Sequence, residues 1–317
     1  KGTLLKLFYN GYAAVRNYSM TYNHIQAGDV ARDLKRYETY LGGRMSLKLD
    51  SLVEVSGVAE LLMETGNYKI EGDIKSKWFE ASLKQVQYAP DFVSQLYRGS
   101  HDFWENNFSA IESTQINGYV HYNSRRFVIS PGFTLTRLRN YVFYKKYGDY
   151  SDVQEMLPVQ SSGSQIVASP ELRLSLTFLK HVTLSNRTIF TSLLDNSDDA
   201  IRLPEVFVNA QLSYANIFFN GNLDMHAGVD VHWKSPYKAL GYDPVIQQFF
   251  TQDTFRPGLH SFPIVDIFFN AKIKRGRIFI KYNNLVQAIT KTGYLPTPFY
   301  PGQRSILDFG FDWSFYD

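Results

Sequence analysis

Residues Asn222 to Lys234, NLDMHAGVDVHWK, alternate polar and apolar almost without fault. Asn222, Asp224, His226, Gly228, Asp230, His232 and Lys234 share one face of an extended strand. Leu223, Met225, Ala227, Val229, Val231 and Trp233 share the other, because successive side chains point to opposite sides. One face suits water and the other suits hydrocarbon. A half-buried strand of a soluble sandwich has the same period, so length and repetition decide. A tilted strand crossing a bilayer takes roughly 9 to 11 residues, against ~5 to 6 in globular sheets. Stretches of the longer kind recur along this chain.

Working back from the C-terminus, the pattern predicts strands at 304–316, 277–287, 262–274, 222–234, 204–219, 182–194 and 168–179. Earlier ones fall at 126–142, 113–123, 77–90, 53–65, 37–49 and 14–25, with a weaker candidate at 3–9. The fold class expected is all-β, a transmembrane antiparallel β-barrel of about 14 strands, within a range of roughly 12 to 16. Connectors at 220–222, 274–277, 179–181 and 123–126 are tight, whereas 143–167, 195–203, 235–261 and 288–303 are long. Short periplasmic turns and long extracellular loops give this asymmetry when the C-terminus is periplasmic. Before residue 110 the order is poorer. Residues 66–77 are long for a periplasmic turn, 50–52 would be a short external one, and 26–36 reads as a helical or irregular link.

No linker rich in Pro, Gly or Ser divides the chain, so a single domain over residues 1–317 is expected. A barrel of this class is exported, so an N-terminal signal peptide, with room for further sequence, is expected before Lys1.

Composition agrees with a barrel. The chain has 24 Phe and 22 Tyr, and aromatics reach 16% of 317 residues, which suits girdles at both membrane interfaces. Mean hydropathy is negative because half of each spanning strand is polar. There is no cysteine, which removes disulfides, zinc thiolates and thiol nucleophiles. With 33 basic and 30 acidic residues, the net charge of +3 is too balanced to suggest nucleic-acid binding.

His226 and His232 share a face with Asp224 and Asp230 and superficially resemble a metal or acid-base cluster. Six residues apart on one strand, the two imidazoles are about 20 Å apart, too far for one ligand sphere. Serines beside histidines arise freely on a polar barrel interior and no Gly-x-Ser-x-Gly elbow occurs, so no enzyme is expected; a diffusion channel implies no cofactor.

Charge on the polar faces is the functional signal. On 262–287, Asp266, Phe268, Asn270, Lys272 and Lys274 point inward, followed by Arg277, Phe279, Lys281 and Asn283. Lys272, Lys274, Arg277 and Lys281 should gather near the short-turn end as an inward cationic group. Elsewhere Glu54, Glu60 and Glu64 on one strand neighbour Glu38, Arg44 and Lys48 on the next. Opposed charge bands can set a field across an aqueous pore, or pair and fill it. Both outcomes are compatible with the sequence.

In the last segment Leu307, Phe309, Phe311, Trp313 and Phe315 share one face against Asp308, Gly310, Asp312, Ser314 and Tyr316. Phe309, Phe311, Trp313 and Phe315 resemble the aromatic assembly signal at the C-terminus of outer-membrane barrels. Trp104 and Phe108, flanking Glu105, Asn106 and Asn107, suit interface anchors at a loop-to-strand boundary. Tyr294, Pro296, Pro298, Phe299, Tyr300 and Pro301 form a stiff aromatic loop, suited to interface anchoring or to contact with a sugar or partner.

The stretches GNYKIEGD at 66–73, SHDFWENNF at 100–108, PIVDIFFNAKIK at 263–274 with the following FIKYNNL, and the ending YLPTPFYPGQRSILDFGFDWSFYD resemble the putative porins of Bacteroidota outer membranes. Members of that family are generally longer, so the resemblance implies a C-terminal barrel portion, located in the bacterial outer membrane. The ending is also similar to that of TonB-dependent transporters. The expected function is passive diffusion of small polar solutes or ions. The alternative is a structural or accessory subunit of an outer-membrane secretion or uptake complex, with a filled lumen. The partners implied are outer-membrane lipid, the barrel assembly machinery and further envelope proteins.

Overall fold

The computed structural model describes residues 5–22, 32–49, 52–99, 102–147, 155–253 and 261–315. Fourteen strands follow one another in chain order along a single antiparallel path. They are Leu5–Tyr22 (β1), Arg32–Leu49 (β2), Val53–Leu62 (β3), Tyr68–Ser76 (β4), Phe79–Tyr88 (β5), Ile111–Val120 (β6) and Phe127–Arg139 (β7). Ser164–Phe178 (β8), Val182–Phe190 (β9), Val206–Phe218 (β10), Leu223–Lys234 (β11), Ile264–Ile273 (β12), Gly276–Asn283 (β13) and Ile306–Trp313 (β14) complete it. Two short segments lie off the path: Tyr122–Asn123 pairs with β7 and Ser192–Asn196 with β8, bringing the sheet to sixteen strands.

Several expectations change near the N-terminus. The connector expected at 66–77 is the strand β4, paired with β3 from Tyr68 opposite Leu61 to Ser76 opposite Val53. Its alternation is masked because Lys69, Glu71, Asp73 and Lys75 crowd one face and Gly72 interrupts the Tyr68, Ile70 and Ile74 face. The candidate at 3–9 is no separate strand: from Leu5 it is the beginning of the 18-residue β1. The irregular link expected at 26–36 lies outside the described residues up to residue 31, and from Arg32 it belongs to β2.

Adding β4 repairs the parity. The joints after Leu49 and Ser76 now fall at the same end as the tight turns after Phe178, Phe218 and Ile273. The short joint at 50–52 is expected to be external; residues 50 and 51 lie outside the described residues, but the flanking Leu49 and Val53 stand at the short-turn end. Short and longer joints alternate along the whole path, and β1 and β14 run in opposite directions.

The sheet is open. Among the described residues no ladder joins β1 to β14, so the expected closed barrel is present as a wall with two edges of backbone donors and acceptors. Its faces stay in phase from strand to strand: Val229 stands between Leu212 and Ile267, and Asp230 between Gln211 and Asp266. Large apolar groups such as Leu83, Ile116, Phe133, Leu172, Leu212, Ile267, Phe309 and Phe311 remain exposed on the apolar face. Glycines on the polar face admit aromatic rings. Phe268 lies across Gly228 and Phe279 across Gly310, where an added methyl group would come within 2.8 Å and 2.0 Å of the ring.

The main buried cluster is in the long connectors. Val142–Tyr147 pairs with Glu155–Gln160 and, in parallel, with Gln248–Thr251, which pairs in turn with Gly241–Asp243. Leu96–Arg98 and Phe103–Glu105 form a hairpin beside them. Trp104, Tyr144, Met156 and Ile246 make an apolar cluster there, packed by Val93, Tyr97, Leu157 and Phe250. Trp104 is thus a core residue of this cap and not an interface anchor: it stacks on Tyr97 at 4.6 Å and donates from Nε1 to the Val93 carbonyl at 2.7 Å. Burial pushes the Tyr144 hydroxyl well above the usual phenol range.

Candidate functional site: the polar face of the wall

The alternation of the strands brings the charged residues onto one continuous face, and the register decides which of them meet. Across β11 to β14, Asp224, Lys272, Arg277 and Asp312 form a transverse row of directly opposed residues. Further along the same face, Asp230 faces Asp266, and Lys281 faces Asp308. Lys281 Nζ donates to Asp266 Oδ2 at 2.8 Å, the backbone N–H of Asn284 donates to Asp266 Oδ1 at 2.9 Å, and Asn283 donates to Asp308 at 2.6 Å. Gln211 Nε2 donates to Asp230 at 2.7 Å. Of the cationic group expected here, Lys281 is ion-paired with Asp266, while Lys272 stands in register with Asp224 and Arg277 with Asp312. Lys274 does not belong to it. It occupies the tight turn between β12 and β13 with φ +53°, because strand pairing ends at Ile273 opposite Gly276.

On β1 to β5 the pairs differ from sequence neighbours. Glu38 bonds Arg16, Tyr18 and Tyr40, while Arg44 and Lys48 lie six and ten residues further along β2, beyond its reach. Lys48 pairs with Glu54 at 3.2 Å, and Ser46 donates to the same carboxylate at 2.8 Å. Tyr12 donates to Glu60. Arg44 and Glu54 share a cavity of about 440 Å³ with Asp73, Lys75 and Glu80. Glu64 leaves the face, since β3 ends at Leu62 and the turn follows. Its carboxylate accepts the Thr39 backbone N–H at 2.9 Å, which holds it below the usual carboxylate range.

The best-organised cluster was not singled out from the sequence. Glu171 on β8, its side chain 7% exposed, accepts from Arg173 Nε at 2.6 Å, Arg187 Nε at 2.7 Å and the Tyr119 hydroxyl at 2.9 Å. Arg173 also lies over the Tyr119 ring at 4.3 Å. The signal was available: Ser169, Glu171, Arg173 and Ser175 alternate with Pro170, Leu172, Leu174 and Leu176. Replacing Glu171 by Gln leaves two guanidiniums facing a neutral amide, a loss of about 1.5 to 3 kcal/mol for charged hydrogen bonds. The unfolding midpoint of E171Q in denaturant should fall well below that of E205Q at an exposed position. Equal midpoints would mean that the cluster does not hold the wall.

Phe309, Phe311 and Trp313 lie together on the apolar face of β14, while Phe315 stands beyond the last ladder pair and is 82% exposed. His226 packs edge-on against Phe268 at 5.0 Å. Among the described residues no group of three or more His, Asp or Glu could hold a metal ion.

An antiparallel path with one charged polar face and one aromatic-rich apolar face has the architecture of a transmembrane β-barrel wall. The family described as "Putative porin" matches residues 3–317, and the chain belongs to it. Outer-membrane barrel structures share the fold. The copper transporter OprC matches with a TM-score of 0.63 and 11% identity, over 98% of this chain and 55% of that one. The siderophore receptor PirA from Acinetobacter baumannii gives 0.62 and 9%, over 98% and 55%. A mutant ferric enterobactin receptor, PfeA from Pseudomonas aeruginosa, gives 0.60 and 14%, over 90% and 47%. At such identities the likeness is one of fold. No curated protein matches the chain. The chain spans about half the length of these structures. It is a protein of the bacterial outer membrane.

Proposed function

We infer that the protein forms a channel for passive diffusion of small polar solutes or ions. The observation that carries this reading is the polar face, which stays in phase along the path from β1 to β14 and bears acids and bases together. In the reading, the apolar face meets lipid and the polar face meets an aqueous lumen. The edges of the wall must pair, because hydrocarbon does not solvate backbone polar groups. β14 runs antiparallel to β1, so direct closure gives a barrel of about 14 strands with the short turns on the periplasmic side. The barrel assembly machinery would read the terminal aromatics. The motifs resembling those of Bacteroidota porins support a source in that group. No catalysis and no cofactor form part of the reading.

The folded cap favours a second reading, an accessory barrel in an envelope complex with its lumen occluded. Planar-bilayer recordings separate the two. Changing Lys272, Arg277 and Lys281 to Glu alters the formal charge by two units at each position, beside acids already present. An open lumen should then shift its reversal potential toward cation preference. The shift should shrink as the screening length falls from ~10 Å at 0.1 M salt to ~3 Å at 1 M. Lys274→Glu, in the turn, should shift it less. Absence of conductance from folded wild type would favour the occluded barrel.

A further inference from the structure

At the loop end a cavity of about 290 Å³ opens between the cap sheet and the Pro298–Tyr300 turn. We propose that this cavity is a binding site for a single sugar ring, such as the exposed end of a glycan. Its volume is at the small end of ligand pockets, roughly 300 to 1,000 Å³, so it admits one ring and little more. Tyr242, Phe250 and Phe299 supply aromatic surface, which the apolar C–H face of a sugar covers well. Lys146, Asp243 and Gln252 supply a cation, a carboxylate and an amide, a donor and acceptor set matched to hydroxyl groups. These walls are held in place. The Phe250 ring lies across Gly241, where an added methyl group would come within 2.4 Å of it. Asp243 accepts the Val245 backbone N–H at 2.7 Å, and Gln252 donates to the Ala239 carbonyl at 2.7 Å.

Phe299 forms the projecting lip of this cavity. It has φ +68° and is 70% exposed. A bulky residue in the left-handed region is disfavoured where glycine would be at ease. The turn is closed by the Tyr300 N–H donating to the Thr297 carbonyl at 3.0 Å, and Tyr300 packs edge-on against Tyr242 at 5.5 Å. The fold thus carries a strained, projecting aromatic ring at the lip of a polar and aromatic cavity.

That strain makes the test clean. Phe299→Gly relieves the backbone and removes the ring, so the variant should fold at least as well as wild type but bind sugar at least tenfold more weakly. Saturation-transfer NMR on the full chain in detergent, with glucose, galactose, mannose and N-acetylglucosamine as separate probes, should show ring-proton contact for one or more of them. Tyr242→Ala should weaken the same signal. Benzoate serves as an anionic aromatic comparison. No transfer to any of the four sugars, an unchanged signal in F299G, or binding of benzoate alone would overturn the proposal. The outcome does not depend on whether the lumen conducts.

Discussion

Replacing Trp313 and Phe315 together by Ser is expected to stop the chain from reaching a compact, heat-modifiable membrane form. Trp313 is 49% and Phe315 82% exposed on the protein alone, so both rings are available to lipid. An aromatic side chain moved from water to an apolar environment gains about 1.5 to 3 kcal/mol, which makes the double change worth roughly 3 to 6 kcal/mol. Trp313 also covers Gly276 on the neighbouring strand, its ring carbons 3.2 and 3.3 Å from where a methyl group would stand. Its loss therefore uncovers backbone at the β13–β14 pairing as well as removing an anchor. Trp313→Phe should keep most of the yield. Band shifts on unheated gels of membrane fractions report the result, and a doubly substituted chain that inserts at wild-type yield would remove the assembly role from these rings.

The fold was legible wherever one face of a strand was cleanly apolar. β11, β12 and β14 stand within a few residues of their expected limits because alternation there is nearly perfect. β4 was hidden because charge dominates it and its apolar set is broken by Gly72, so the pattern resembled a loop although the pairing is complete. Missing that strand also reversed the expected side of the short joint at 50–52. The cap was illegible for a different reason. Its strands at 142–147, 155–160, 241–243 and 248–251 are short, and two of the partners, 142–147 and 248–251, meet in parallel across about a hundred residues. No local period encodes such a contact.

The candidate site divides in the same way. Alternation placed Asp224, Asp230, Asp266, Lys272, Arg277 and Lys281 on one face, and the register agrees. It could not say which charges meet, because that depends on the offset between strands. Hence Lys48 meets Glu54, Lys281 meets Asp266 diagonally, and Glu38 meets Arg16. Lys274 and Glu64 were placed on strand faces although both lie one or two residues past the last ladder pair. Strand ends are where a period of two carries least information.

Val229→Arg is expected to impair insertion, while His232→Arg on the same strand should be tolerated. Val229 lies near the middle of β11, between Leu212 and Ile267 on the apolar face. His232, three residues on, takes the opposite face, opposite Asn209. A guanidinium on the lipid face at mid-membrane costs about 2 to 4 kcal/mol, falling to ~0 to 1 near the interface. Val231→Arg, nearer the strand end, should therefore cost less than Val229→Arg. His232→Arg places the same guanidinium on the polar face, where it meets no hydrocarbon. Denaturant titration of each variant refolded into thin-chain lipid vesicles gives the order directly. Equal losses at 229 and 232 would mean that the two faces of β11 see the same solvent. A larger loss at 232 would mean that the wall is inside out, with the charged face of β11 to β14 turned toward lipid and the aromatic face toward the interior.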